Sequence, residues 1–201
     1  MKKAFVLRCT EMTEFASAVR RLEQLGYPVA SFADFHAGEI DPVAFIWLGV
    51  DGESHLARRG ANADSALSGM APLVVVCSSG SVPSNARLGR WTFDMRDARA
   101  EVWRLIAMTA VASRLGLALE HPLTASIMEA SSGAALRPSE TLVLGMAFTS
   151  LPISAWGEAL GKSQQTIKTQ TRTALKRLGR SNGSIYRVAI SIARDALEGA
   201  E

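Results

Sequence analysis

The chain has 201 residues, of which 48% are hydrophobic, so it is long enough to bury a sizeable core in two small domains. Its longest apolar runs are too short to cross a bilayer and its first residues do not form a signal peptide, so we expect a cytoplasmic protein with no membrane partner. Residues 1–135 carry 13 Lys/Arg against 14 Asp/Glu, whereas residues 136–201 carry 9 against 5. This asymmetry predicts that a polyanion binds the second part alone.

Apolar runs alternate with helical patterns through the first part of the chain. Strands are predicted over 3–9, 27–32, 43–50, 72–79 and 90–94, and helices over 13–26 and 98–116. Strands that are apolar throughout need helices on both faces of their sheet. The pattern therefore indicates a parallel sheet of the α/β class.

This order of elements resembles the receiver domain of bacterial response regulators, and it implies a flavodoxin-like (βα)5 fold for residues 1–116. Phosphorylation of a receiver needs carboxylates after the first strand, an aspartate ending the third strand and a lysine after the fifth. Here Arg8 lies near the end of the first strand, Asp51 follows the third strand a few residues late, and no lysine follows the fifth. We therefore expect a pseudo-receiver used for dimerisation or partner binding, with Asp51 as a weak candidate phosphoacceptor.

Other site chemistry finds little support in the sequence. Phe45, Trp47 and Trp91 lie near the C-terminal ends of strands, where α/β sheets bind ligands, but core packing is the commoner explanation for such aromatic residues. The three histidines and two cysteines lack the spacing of metal ligands or of a nucleophile with its base. We expect no enzyme activity, no cofactor and no metal, while a small-molecule ligand stays open.

The second part of the chain is predicted to be all-α. Residues 117–135 contain small and polar side chains and are predicted to form an interdomain linker. Start and stop signals in residues 136–201 predict four helices. The first begins at Pro138, the second follows Ser154 as its N-cap, and the third follows Ser163 as its N-cap. The fourth spans residues 184–199.

The third of these helices has two chemically different faces. Its inward face is formed by Ile167, Thr171, Ala174, Leu175 and Leu178, and its outward face by Gln164, Gln165, Lys168, Thr169, Arg172 and Lys176. Residues 161–180 hold six basic residues and no acidic one, so ion pairs along the helix cannot be their purpose. Two short helices joined by a glycine-containing turn, the second of them basic on its outer face, predict a helix-turn-helix that contacts DNA. A solvated or protein-binding face is the alternative.

Residues 136–179 are similar to the LuxR/GerE-type DNA-binding domain of the NarL group of response regulators. The resemblance is carried by Leu136-Arg137-Pro138-Ser139-Glu140, Val143-Leu144, Leu151-Pro152, Leu160, Ser163, Thr166-Ile167-Lys168, Leu175 and Arg177-Leu178. Gln170, in place of a histidine, and Gly157, within the second helix, depart from the family pattern. The resemblance implies base contacts from Lys168, Thr169 and Arg172, phosphate contacts from Gln165, Thr166, Lys176 and Arg177, and dimer contacts from Ile185, Val188, Ala189 and Ile192.

Together these features predict a sequence-specific, DNA-binding transcriptional regulator that is dimeric and independent of aspartyl phosphorylation. A two-fold symmetric dimer would bind a palindromic operator on double-stranded DNA. In the alternative, the pseudo-receiver binds another regulator or RNA polymerase, and the basic domain binds DNA without sequence preference.

Overall fold

A computed structural model describes residues 1–9, 12–50, 69–77, 91–94 and 99–199. The chain divides into two compact units, one formed by Met1–Glu23 and Tyr27–Val102 and the other by Gln24–Gly26 and Trp103–Glu201. The division after Val102 falls earlier than the boundary expected at residue 116. Among the described residues, no helix is both long enough and apolar enough to span a membrane.

The first unit is built on a parallel sheet of five strands. They are β1 (Lys2–Cys9), β2 (Val29–Ser31), β3 (Ile40–Val50), β4 (Leu73–Cys77) and β5 (Trp91–Asp94). Their order in the sheet is β2-β1-β3-β4-β5, which is the order of flavodoxin-like folds. The parallel sheet expected from the sequence is therefore confirmed. The complete (βα)5 repeat stays a prediction, because residues 51–68 and 78–90 lie outside the described residues.

Helix α1 (Met12–Glu23) follows β1, and a short 3₁₀ turn (Phe32–Asp34) follows β2. The first unit has its aromatic core on one face of the sheet. Phe45 and Trp47 of β3 are buried there with Leu73 of β4, while Phe32 and Phe35 pack against the cluster. The ring centroids of Phe32 and Trp47 are 5.9 Å apart and those of Phe35 and Phe45 are 5.3 Å apart, both edge to face. These contacts favour a role in core packing for Phe45 and Trp47 over a role in lining a ligand site.

The second unit is entirely helical apart from its connections. Its helices are α2 (Arg99–Leu115), α3 (Pro122–Gly133), α4 (Pro138–Met146), α5 (Ile153–Ala159), α6 (Gln164–Arg177) and α7 (Ile185–Glu198). Of α2, only the part from Trp103 onward belongs to this unit. The four helices expected after residue 136 are therefore present as α4 to α7.

The segment expected to be a linker is instead structured. Residues 122–133 form α3, which begins with Pro122 after the His121 cap and buries Ile127 completely. Its small side chains permit close packing against α7. The C-terminal end of α3 is bound by the buried Arg104 of α2. Its Nε donates to the Leu136 carbonyl, and a terminal nitrogen donates to the Ser132 hydroxyl. Small residues are common both in loops and in tightly packed helices, so composition alone does not distinguish a connector from α3.

Candidate nucleic-acid interface

Helices α5 and α6 form a two-helix element joined by a tight turn. Gly161 adopts φ +60° in this turn, and the Lys162 amide donates to the Gly157 carbonyl over 2.7 Å. Trp156 of α5 is fully buried, and its Nε1 donates to the Leu151 carbonyl at 2.9 Å. Because this indole is both buried and hydrogen-bonded, α5 is anchored and can support the helix that follows.

Ser163 lies at the N-cap of α6. Its Oγ accepts the Thr166 amide at 3.1 Å, and the Ser163 and Thr166 hydroxyls are 2.8 Å apart. The cap pairs one of the four amide groups that the first turn of a helix leaves without an internal partner. The chain therefore enters α6 with a fixed starting direction.

The inward face of α6 is held by the rest of the unit. Ile167, Ala174 and Leu175 are buried, and Thr171 and Leu178 are half-buried. The Thr171 hydroxyl donates to the Ile167 carbonyl at 2.8 Å, so this polar side chain does not face the core unpaired. The spacing of apolar residues in the sequence therefore predicts the side of α6 that is packed against the unit.

The outward face of α6 is a cationic surface. It consists of the exposed side chains of Gln165, Thr166, Lys168, Thr169, Arg172 and Lys176. Within the described part of the chain, Lys168, Arg172 and Lys176 form no ion pair. The Thr169 hydroxyl donates to the Gln165 carbonyl at 2.9 Å, so it keeps its methyl group and its acceptor capacity for a ligand. This surface offers positive charge and long hydrogen-bond donors to a polyanion.

Arg177 differs from the other residues expected to contact phosphate. Its Nε lies 3.4 Å from the Glu140 carboxylate and a terminal nitrogen donates to the Ala135 carbonyl at 2.5 Å. Glu140 is buried at the start of α4, where it accepts the Arg137 amide at 2.8 Å. A buried carboxylate needs a counter-charge, and Arg177 supplies it. The partly exposed guanidinium is therefore held by two contacts within the unit.

The side chain of Gln164 contacts the preceding helix. The sequence predicts Gln164 on the outward face of α6 and Ser154 at the N-cap of α5. The N-cap residue of α5 is instead Pro152, and Ser154 lies in the first turn of the helix. The Ser154 carbonyl accepts the side-chain amide of Gln164 at 2.5 Å. No sequence signal identifies this contact, since it joins two helices across a turn.

Lys162 lies in the turn before α6 and is half-buried. Its ammonium donates to Gln170 Oε1 at 3.4 Å. Burial, and then the positive charge of Arg114, lower the pKa of Lys162 from its ordinary value. Gln170, the departure from the family histidine, thus serves as a neutral acceptor for this lysine.

The residues expected to form the dimer contact are largely covered within the unit. Ile185, Ala189 and Ile192 are buried and Val188 is half-buried. They lie on α7, which packs against α3, a helix within the predicted linker. Three of the four side chains are therefore buried within a single copy, and a dimer contact through this side of α7 stays a prediction.

The other side of α7 carries exposed apolar residues. Ile190 is 68% exposed and Leu197 is 73% exposed. They are seven residues apart, or about two helical turns, and so share one side of the helix. These two side chains are the apolar surface that α7 leaves uncovered within the described chain.

At the C-terminal end of β1, the first unit carries a cation. The guanidinium carbon of Arg8 lies 5.3 Å from the Trp47 ring centroid and 5.6 Å from that of Phe32. Asp51, the weak candidate phosphoacceptor, lies outside the described residues. Among those that are described, no three His, Cys, Asp or Glu side chains are grouped as they would be to hold a metal ion.

Comparison with known proteins gives a likeness to solved structures alone. No family model and no curated protein matches the chain. Full-length FixJ from B. japonicum is 19% identical, with 96% of this chain and 98% of that chain covered, at a TM-score of 0.36. The response regulator StyR is 16% identical, with 97% of this chain and 100% of that chain covered, at a TM-score of 0.35. RcsB, in a structure of two dimers bound to two parallel DNAs, is 15% identical, with 95% and 98% covered, at 0.40. TM-scores below 0.5 leave this likeness without weight for the function of the chain.

Proposed function

We propose that the chain is a cytoplasmic, sequence-specific DNA-binding transcriptional regulator that acts as a dimer, without catalytic activity or a cofactor. One observation carries the proposal. The inward face of α6 is buried while Lys168, Arg172 and Lys176 on its outward face are exposed and, in the described chain, unpaired. Cations that have no carboxylate partner among the described residues repel one another, and a bound polyanion would relieve that repulsion.

In this proposal α6 enters the major groove of duplex DNA. Lys168 and Arg172 donate to the O6 and N7 acceptors of guanine, and Thr169 contacts a thymine methyl or a base donor. Gln165, Thr166 and Lys176 contact phosphates, which adds attraction without sequence preference. Arg177 leaves the set of phosphate contacts, because Glu140 and the Ala135 carbonyl hold its guanidinium.

We place the dimer contact of the second unit on the exposed side of α7. We choose Ile190 and Leu197 in place of the residues named from the sequence, because Ile185, Ala189 and Ile192 are buried within one copy. Two copies related by a two-fold axis would bind a palindromic operator, with one α6 in each half-site.

We further propose that the first unit is a pseudo-receiver that works without aspartyl phosphorylation. Arg8 supports this, because it places a positive charge near the end of β1, where a receiver needs carboxylates to bind Mg²⁺.

Selection from a pool of random duplexes tests the proposed function. We expect the full chain to enrich a palindromic consensus, and to bind it more tightly than a scrambled duplex at the same salt concentration. A module that binds another regulator or RNA polymerase, with only non-specific DNA affinity, would enrich no consensus and would overturn the proposal.

A further inference from the structure

Helices α5 and α6 are joined by a contact that the family resemblance does not explain. The Gln164 side chain, at the start of α6, reaches back across the turn and donates from Nε2 to the Ser154 carbonyl. Gln164 therefore cannot present that amide group to DNA while the contact is made. Among the residues that the structure describes, the side chain of its neighbour Gln165 makes no such contact, and Gln165 stays on the outward face.

Gly157 makes room for this contact. It is buried in α5, and a Cβ at this position would lie 2.7 Å from Gln164 Nε2 and 2.8 Å from the Lys162 carbonyl oxygen. The Lys162 carbonyl is backbone and cannot rotate away, so a side chain here would force the turn open. The glycine that weakens α5 as a helix is thus required by the close approach of α6.

We propose that Gln164 and Gly157 form a lock that fixes the angle between α5 and α6, and that this lock sets how well the protein discriminates between DNA sequences. This inference rests on the proposed function. Gln164 is a positioning residue, since it touches α5 and not the DNA.

The length of α6 explains why the lock affects discrimination more than affinity. Arg172 lies eight residues beyond Gln164, or about 12 Å along the helix axis. A rotation of about 10° at the turn would move it by roughly 2 Å, which breaks a hydrogen bond to a base edge. Attraction to phosphates is long-ranged and tolerates such a shift.

Four variants of the full chain test the lock through the ratio of affinities for an enriched and a scrambled duplex. Gly157→Ala and Gln164→Ala should each lower the ratio by about tenfold, the value of one base contact. The double variant should match either single one, because both remove the same constraint. Gly133→Ala, the matched control, adds a methyl group at the end of α3 with nothing within 4 Å and should keep the wild-type ratio. A wild-type ratio for Gly157→Ala, or multiplied losses in the double variant, would overturn the lock.

An isosteric change separates the hydrogen bond from the shape of the side chain. Gln164→Glu has the same size but cannot donate to the Ser154 carbonyl. We expect it to lower the affinity ratio as far as Gln164→Ala does. A charge that weakens binding to both duplexes equally leaves their ratio unchanged, and titration at several salt concentrations checks this. If Gln164→Glu kept the wild-type ratio, the lock would be wrong, even if Gly157→Ala failed to fold.

Thermal unfolding separates a failure of the lock from a failure of the proposed function. The same single and double variants are unfolded without DNA. The two substitutions should be non-additive in their effect on the free energy of unfolding, as expected for residues in contact. If the wild-type chain shows no DNA preference, the proposed function fails, while non-additive unfolding still supports the lock and additive unfolding overturns it.

Discussion

Arg177 and Glu140 form a pair in which only one partner is accessible. Nε of Arg177 lies 3.4 Å from Oε2 of Glu140, and their side chains are 33% and 4% exposed. The pair joins the last residue of α6 to the first turn of α4. It therefore fixes the C-terminal end of α6 within the unit.

Arg177→Ala should lower the free energy of unfolding by about 1–3 kcal/mol, because it leaves the buried Glu140 carboxylate without a counter-charge. This value is below that of a fully buried pair, since water screens the arginine in part. Urea unfolding measures the change. Lys176→Ala, next to it and exposed, should change stability by less than about 0.5 kcal/mol. Equal losses in the two variants would contradict the role given to Arg177.

Arg172→Ala and Lys176→Ala should affect DNA binding in different ways. Arg172→Ala should remove about 1–3 kcal/mol of discrimination at one base pair in each half-site. Lys176→Ala should weaken binding to all sequences and lower the slope of log affinity against log salt by about 1. Titration of a panel of operator variants at several salt concentrations measures both effects. Identical behaviour of the two variants would refute the division between base and phosphate contacts.

Ile190→Asp together with Leu197→Asp should yield a folded chain that dimerises less through its second unit. Both side chains are exposed, so the charges cost little within one copy but would be buried between two. Analytical ultracentrifugation measures the dissociation constant, and circular dichroism checks the fold. Ala189→Asp is the contrasting variant, because Ala189 is buried and the substitution should unfold the unit. An unchanged dissociation constant would remove α7 from the dimer contact.

Ile127→Ala should lower the free energy of unfolding by about 2–4 kcal/mol, as expected for a large side chain removed from a packed core. Ile127 is fully buried in α3, within the predicted linker of residues 117–135. Chemical denaturation of the full chain measures the loss, with Glu129→Ala, exposed on the same helix, as the control. A loss no larger than that of the control would return residues 122–133 to the role of a connector.

Incubation with acetyl phosphate and Mg²⁺ should leave the mass of the chain unchanged. The charge of Arg8 near the end of β1 disfavours the metal ion that phosphoryl transfer to an aspartate requires. Intact mass spectrometry gives the measurement, and a receiver that is known to accept phosphate gives the positive control. A stable gain in mass that maps to Asp51 would show that the first unit is a working receiver.

Local signals in the sequence determined much of the candidate site. Ser163 was identified as a cap because its hydroxyl needs only the amides of the next turn, and the Thr166 amide is its partner. The inward set around Ile167 and Ala174 follows from the helical period alone. The parallel sheet likewise follows from runs that are apolar throughout, since such strands are stable only when both faces are covered.

Tertiary structure decided which of the remaining side chains are free. Arg177 and Gln164 belong to the same basic segment as Lys168, and no local rule separates them. Glu140 and the Ser154 carbonyl bind the first two only because the chain returns to them. Ile185 is buried within one copy, in a unit where α7 packs against both α3 and α4. Periodicity assigns a residue to a side of its helix, but the neighbouring elements decide whether that side is covered.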